Sequence, residues 1–161
     1  MKGKGFNMDN DSQKVASALK ETWHKMDSLY DFYAKSVGLN FTTILVLQLL
    51  FDSSDACNAQ KTYTQKEVCE KLGLPKQLVN SIIKSLWEQG HVELKEAKDR
   101  RNKDIIVTDK GREYARRVLK PLENAETFAW NSFSVDEILN FAKTLEKYVE
   151  TFEIILKQLK S

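Results

Sequence analysis

Cysteine, proline and glycine are all scarce: 2 Cys, 2 Pro and 6 Gly in 161 residues. Two thiols are too few for a disulfide scaffold, and the spacing of Cys57 and Cys69 matches no zinc or redox motif. That usage fits a reduced, cytoplasmic protein. No apolar run reaches the ~18–20 residues needed to span a bilayer, so no membrane association is expected and the stretch from Phe41 to Phe51 reads as a buried helix. The opening residues MKGKGFNM lack the apolar core of a signal peptide. There is no Gly-rich phosphate loop, nucleophile elbow or zinc signature. Acidic residues are plentiful, but no pair is set apart for acid–base work. An enzyme is therefore not expected, and neither a metal nor a cofactor is implied.

What is present is a globular composition, 42% hydrophobic and 30% charged, which supports a packed core. The net charge of +2 singles out no partner, but its distribution is uneven. Residues 60–117 hold 14 Lys/Arg against 9 Asp/Glu, whereas both ends are slightly acidic. A basic middle can be the footprint of a polyanion, or a chance clustering on solvated faces.

Periodicity sets out the elements. Val15, Leu19, Trp23, Met26, Tyr30, Tyr33 and Val37 recur at steps of three and four, the stripe of an amphipathic helix over 13–37 that Gly38 ends. Asn40 can cap a helix over 41–51, apolar nearly all round. Polar residues 52–61 form a loop. Thr64 and Glu67 make a capping box for a short helix that stops at Gly73. Pro75 falls in the first turn of the next helix, where its missing N–H costs nothing. That helix has an apolar side of Val79, Ile82, Ile83 and Leu86, and Gly90 closes it. The period then changes to two. Residues 91–95 and 104–107 read as strands around the charged stretch 96–103, a β-hairpin. Thr108 caps a long helix with the stripe Tyr114, Val118, Leu122, Ala125 and Phe128, kinked at Pro121. Ser134 and Glu137 form a second capping box. The last helix carries Ile138, Phe141, Leu145, Tyr148, Phe152, Ile155 and Leu159 as a coiled-coil-like seam.

The order helix, glycine turn, helix, hairpin is that of a winged helix-turn-helix. The major groove of duplex DNA admits one helix, and the second helix of such a pair is the reader. With its apolar side buried, Lys76, Gln77, Asn80, Ser81 and Lys84 are left facing outward. Gln and Asn can pair with adenine, and Lys with guanine or phosphate. The plainer alternative is an amphipathic helix with a solvated face. The hairpin tip carries Lys95, Lys98, Arg100, Arg101 and Lys103 against Glu96 and Asp99. Such a tip can place an arginine in a neighbouring minor groove, with Asp99 orienting Arg101. It can also be a simple solvated turn.

The stretch Leu72-Gly73-Leu74-Pro75-Lys76-Gln77-Leu78-Val79-Asn80, followed by Leu86 and Gly90, resembles the reader helix of the MarR family of bacterial regulators. Asp99-Arg100-Arg101-Asn102-Lys103, leading to Val107-Thr108-Asp109-Lys110-Gly111, resembles that family's wing. The resemblance covers about residues 64–111. It implies a homodimer with intertwined first and last helices and two wings on palindromic double-stranded DNA, with Lys98, Asp99, Arg100, Arg101 and Lys103 as wing contacts. It also implies control of its own or neighbouring genes, usually as a repressor, often relieved by a small aromatic effector or an oxidant. Many members carry Arg where this chain has Ser81, so base preference does not carry over. A family ligand pocket often lies between the dimer helices and the DNA-binding lobe. Trp23, Met26, Tyr30 and Tyr33 could line it, or could pack as dimer or domain core.

The expected class is mainly α, an α+β winged helix with a two-stranded hairpin. Residues 1–11 are expected as a flexible tail, 12–38 as an N-terminal dimerisation helix, 39–111 as the DNA-binding lobe and 112–161 as C-terminal dimerisation helices. Leaving the last helix's apolar seam in water would expose a large patch, which a two-fold dimer buries. Cys57, in the polar loop, is a candidate redox switch. Cys69 reads as core, and His24 and His91 as structural. The competing function is a winged-helix protein–protein scaffold without DNA binding, motivated by the thin charge on the reader helix.

Overall fold

A computed structural model describes residues 9–51, 62–96 and 103–159. Two compact units divide the chain, residues 1–119 and 120–161.

The first unit opens with α1, Asn10–Ser36. It begins three residues before the expected start because Asp9 caps it, accepting a hydrogen bond from the Ser12 amide at 2.7 Å. Its end is a Schellman turn: the Gly38 amide bonds Lys35 O at 3.0 Å and the Leu39 amide bonds Ala34 O at 2.8 Å. Gly38 adopts φ 74°, as that turn requires. Helix α2, Phe41–Leu50, then sets off at 84° to α1. Asn40 caps it, accepting from the Thr43 amide at 2.8 Å. Ile44, Val46, Leu47 and Leu50 are buried.

Helix α3, Gln65–Leu72, starts at the expected capping box and ends at Gly73, φ 63°. Helix α4, Lys76–Glu88, buries Val79, Ile82, Ile83 and Leu86, the row expected from periodicity. Pro75 stands one position earlier than expected. It is the N-cap, with extended backbone, and Lys76 is the first helical residue. A second Schellman turn closes α4, with the Gly90 amide on Trp87 O at 2.9 Å and the His91 amide on Leu86 O at 2.8 Å.

The sheet has one more strand than the sequence suggested. Strand β1 is Tyr63–Thr64, β2 is Val92–Glu96 and β3 is Lys103–Val107, in the antiparallel order β1-β3-β2. Tyr63 pairs with Ile105, and β2 pairs with β3 from Val92↔Val107 to Glu96↔Lys103. Glu96 and Lys103, expected in the charged tip, are thus the last paired residues of the hairpin. Val92, Ile105 and Val107 join α2, α3 and α4 residues in the core.

Helix α5, Asp109–Trp130, is capped by Thr108, whose hydroxyl accepts from the Gly111 amide at 3.0 Å. In the first unit it buries Ala115, Val118 and Leu119. It continues through Pro121. The expected stripe holds only as far as Leu122, since Ala125 and Phe128 are exposed. In the second unit, Ser134 and Glu137 close the expected capping box, with the Ser134 amide on the Glu137 carboxylate at 2.8 Å. Helix α6, Val135–Leu159, buries none of its residues within the single chain. Trp130 lies against Phe133 and Phe141, with ring centroids 6.0 and 6.2 Å away. No helix among the described residues is by itself long and apolar enough to cross a membrane.

Candidate nucleic-acid interface

Burying one side of α4 leaves the other to solvent. Of the five expected reader residues, Lys76, Gln77, Ser81 and Lys84 are exposed. Gln77, Ser81 and Lys84 are spaced four and three residues apart, so they share one line along the helix. Lys84 is drawn toward Glu88, 3.7 Å away, which tempers its charge. Asn80 departs from expectation. It is half-buried, and its Oδ1 is shut away from solvent with no hydrogen-bond partner. Position explains this: Asn80 follows Val79 directly, so it lies on the shoulder between the buried row and the outward line. In this orientation it cannot present oxygen and nitrogen together, as bidentate contact with adenine requires.

The wing is anchored at its root. Gly90 sits at φ 72° and turns the chain from α4 into β2. His91 follows, 6% exposed, with its ring stacked on Tyr114 at 4.2 Å and 7°. The Thr108 hydroxyl donates to Gly90 O at 2.8 Å, and the Thr108 amide donates to His91 O at 3.1 Å. Lys110 Nζ donates to Gln89 O at 2.8 Å. Arg112 donates to Val107 O at 3.3 Å, and the Arg117 guanidinium lies 5.7 Å from the Tyr114 ring centre. The end of α4, both hairpin strands and the start of α5 are therefore tied at one junction. Burial holds the His91 imidazole below the usual histidine range, reinforced by the positive charges of Lys110 and Arg117. Of the expected wing residues, Lys103 is exposed at the start of β3. Lys98, Asp99, Arg100 and Arg101 lie outside the described residues, as does Cys57.

Residues 38–102 match the model of the MarR family. Similarity to that family thus runs from α2 to β2, the helix-turn-helix and the first strand of the hairpin. Solved structures agree in fold over a longer span. The MarR family regulator NMB1585 from Neisseria meningitidis is 24% identical, with a TM-score of 0.71 over 88% of this chain and 96% of that one. A MarR-family transcriptional regulator from Rhodococcus sp. RHA1 is 20% identical, with a TM-score of 0.64 over the same shares, 88% and 96%. Staphylococcus aureus MepR, in its DNA-binding conformation, is 16% identical, with a TM-score of 0.69 over 86% of this chain and 98% of that one. Comparison with curated protein sequences gives no match. The transcriptional regulator SlyA is 19% identical, with a TM-score of 0.63 over 86% of this chain and 93% of that one.

The MarR-like run Thr108-x-x-Gly111 gains a physical reason here. Thr108 caps α5 and binds the Gly90–His91 backbone, while Gly111 lets α5 press onto that same backbone. The four expected pocket residues of α1 divide into two sets. Tyr30 stacks on Phe41 at 5.2 Å, and the Tyr33 hydroxyl donates to Val118 O of α5. Burial raises the Tyr33 phenol above its usual range. Trp23 is half-buried, and Met26 is 47% exposed. Tyr30 and Tyr33 thus hold helices together inside the first unit. Cys69, read as core, is half-buried on α3.

Two features escaped the sequence reading. Leu78 is exposed on α4, and a helical wheel would have flagged it about 100° from Val79. The contact between Gly111 and His91 joins residues far apart in sequence, and no local pattern announces it.

Proposed function

We propose that this protein is a sequence-specific DNA-binding transcription regulator that acts in the cytoplasm as a homodimeric repressor on palindromic duplex sites. One observation carries the reading: the exposed polar line of α4 and the β2–β3 hairpin belong to one compact unit and are locked together at Gly90, His91 and Thr108. A helix entering a major groove and a hairpin following the backbone then move as one body. Gln77 would read base edges. Lys76, Lys84 and Lys103, with Lys98, Arg100 and Arg101, would neutralise phosphates, and Asp99 would orient Arg101.

The dimer is supported by the apolar side chains left in water on α1 and α6, among them Leu19, Phe32, Tyr148, Phe152 and Ile155. Soluble monomers rarely expose so much, and a two-fold pair buries the same patch twice. A small aromatic effector would act at the α1 aromatics, where Trp23 and Met26 keep accessible surface beside the engaged Tyr30 and Tyr33.

Electrophoretic mobility shifts on the DNA upstream of the protein's own gene, and on a randomised duplex pool, test the reading at two salt concentrations. Binding should weaken with salt, with a log–log slope near −0.9 per phosphate neutralised. Absent or salt-independent binding would overturn it in favour of a protein–protein scaffold.

A further inference from the structure

Four side chains are exposed in the first half of α4: Lys76, Gln77, Leu78 and Ser81. Three are polar. Leu78 is not, yet it keeps 37% of its surface in solvent. Its position accounts for this. It lies about 100° around the helix from Val79, off the row that packs inward. Helix α4 runs from Lys76, so Leu78 belongs to its first turn, the part of a reader helix that meets base edges. The one methyl group in the major groove against which an isobutyl side chain can pack is the 5-methyl of thymine, and the other groups that tell the base pairs apart there are polar donors and acceptors. Neighbouring Gln77 has the amide that pairs bidentately with adenine.

We infer that Leu78 is a specificity-determining residue that reads a thymine methyl in each half-site, beside an adenine read by Gln77. The inference rests on the DNA-binding reading above and adds a base identity to it. The half-site core is then A·T-rich at the point of contact. Lys84, further along the helix and near Glu88, contributes less to base choice.

The test begins with duplexes selected from a randomised pool by the wild-type protein. Each thymine of a selected duplex is replaced singly by deoxyuridine, which removes one methyl and keeps every hydrogen bond. The wild-type protein should lose about fourfold in affinity at one thymine per half-site, the value of one buried methyl. The Leu78→Ala protein, with its fold checked by circular dichroism, should bind the thymine and uracil duplexes equally. Leu78→Met should keep the discrimination. If duplexes are selected but no uracil substitution weakens wild-type binding, the inference fails and the DNA-binding reading stands. Full discrimination retained by Leu78→Ala overturns it equally. If no duplex is selected, both fall.

Discussion

Gly111 and the carbonyl of His91 are in direct backbone contact. A Cβ at position 111 would penetrate the carbonyl oxygen of His91 and stand 2.9 Å from its carbonyl carbon. Neither partner can swing aside. The His91 carbonyl is held by Thr108, and Gly111 lies in the first turn of α5. Gly111→Ala should therefore cost about 1–3 kcal/mol of stability or more, the usual cost of overpacking, even though alanine favours helix. Urea unfolding measures this. A midpoint equal to wild type would show that the junction is loose.

The same junction predicts a pH dependence. The His91 pKa is depressed in the folded state. Below the unfolded histidine value of about 6.5, the unfolded chain binds more protons than the folded one. The contribution of His91 is thus most favourable above pH 6.5 and is lost as pH falls from there toward the folded pKa. Thermal melts should show a lower Tm at pH 5.5 than at pH 7.5. His91→Phe, which keeps the ring on Tyr114 but cannot protonate, should flatten that difference. An unchanged slope in the variant would assign it to other groups.

Thr64 and Glu67 are a reciprocal cap: the Glu67 carboxylate accepts from the Thr64 amide at 2.7 Å, and the Thr64 hydroxyl accepts from the Glu67 amide at 3.3 Å. Thr64→Ala should lower stability by about 1 kcal/mol. Denaturant titration reads the change.

Reader and wing variants should separate two kinds of contact. Gln77→Ala should cost ~1–3 kcal/mol against a selected duplex and relax its sequence preference. Arg101→Ala should weaken binding to all duplexes alike and reduce the salt slope by about one phosphate. Asn80→Ala should cost less than Gln77→Ala, because the Asn80 oxygen is turned inward and unpartnered. Fluorescence anisotropy on matched and mismatched duplexes distinguishes the three. A larger loss at Asn80 than at Gln77 would mean that the side chain reorients on binding.

The α6 face offers a test of assembly. Tyr148 and Phe152 stack with centroids 5.9 Å apart, and both remain about half exposed in one chain. Carboxylates at both positions, Tyr148→Glu with Phe152→Glu, should convert a dimer to monomer and weaken binding to a palindrome. Light scattering on wild type and variant decides it. A wild-type protein that is monomeric and well folded at micromolar concentration would refute the dimer.

What the sequence determined alone was whatever closes within a few residues. Asn40, the Thr64–Glu67 and Ser134–Glu137 boxes and Thr108 cap where they were expected to, because a capping side chain reaches amides two or three positions on. Gly38, Gly73 and Gly90 all take the positive φ that their turns need. The buried row of α4 followed from a period of 3.6. Asp9 carried the same local kind of signal for α1 and sits just ahead of the stripe that marked the helix. Tertiary structure decided the rest. β1 is two residues long, too short to show any period, and exists only because β3 pairs with it. Asn80 and Leu78 flank the same buried row, and packing around α4 turned the amide oxygen inward while leaving the leucine in water. His91 against Tyr114, Tyr33 against Val118 and Gly111 against the His91 carbonyl are meetings of residues on different elements. Their geometry depends on how close-packed helices and strands come to rest against one another.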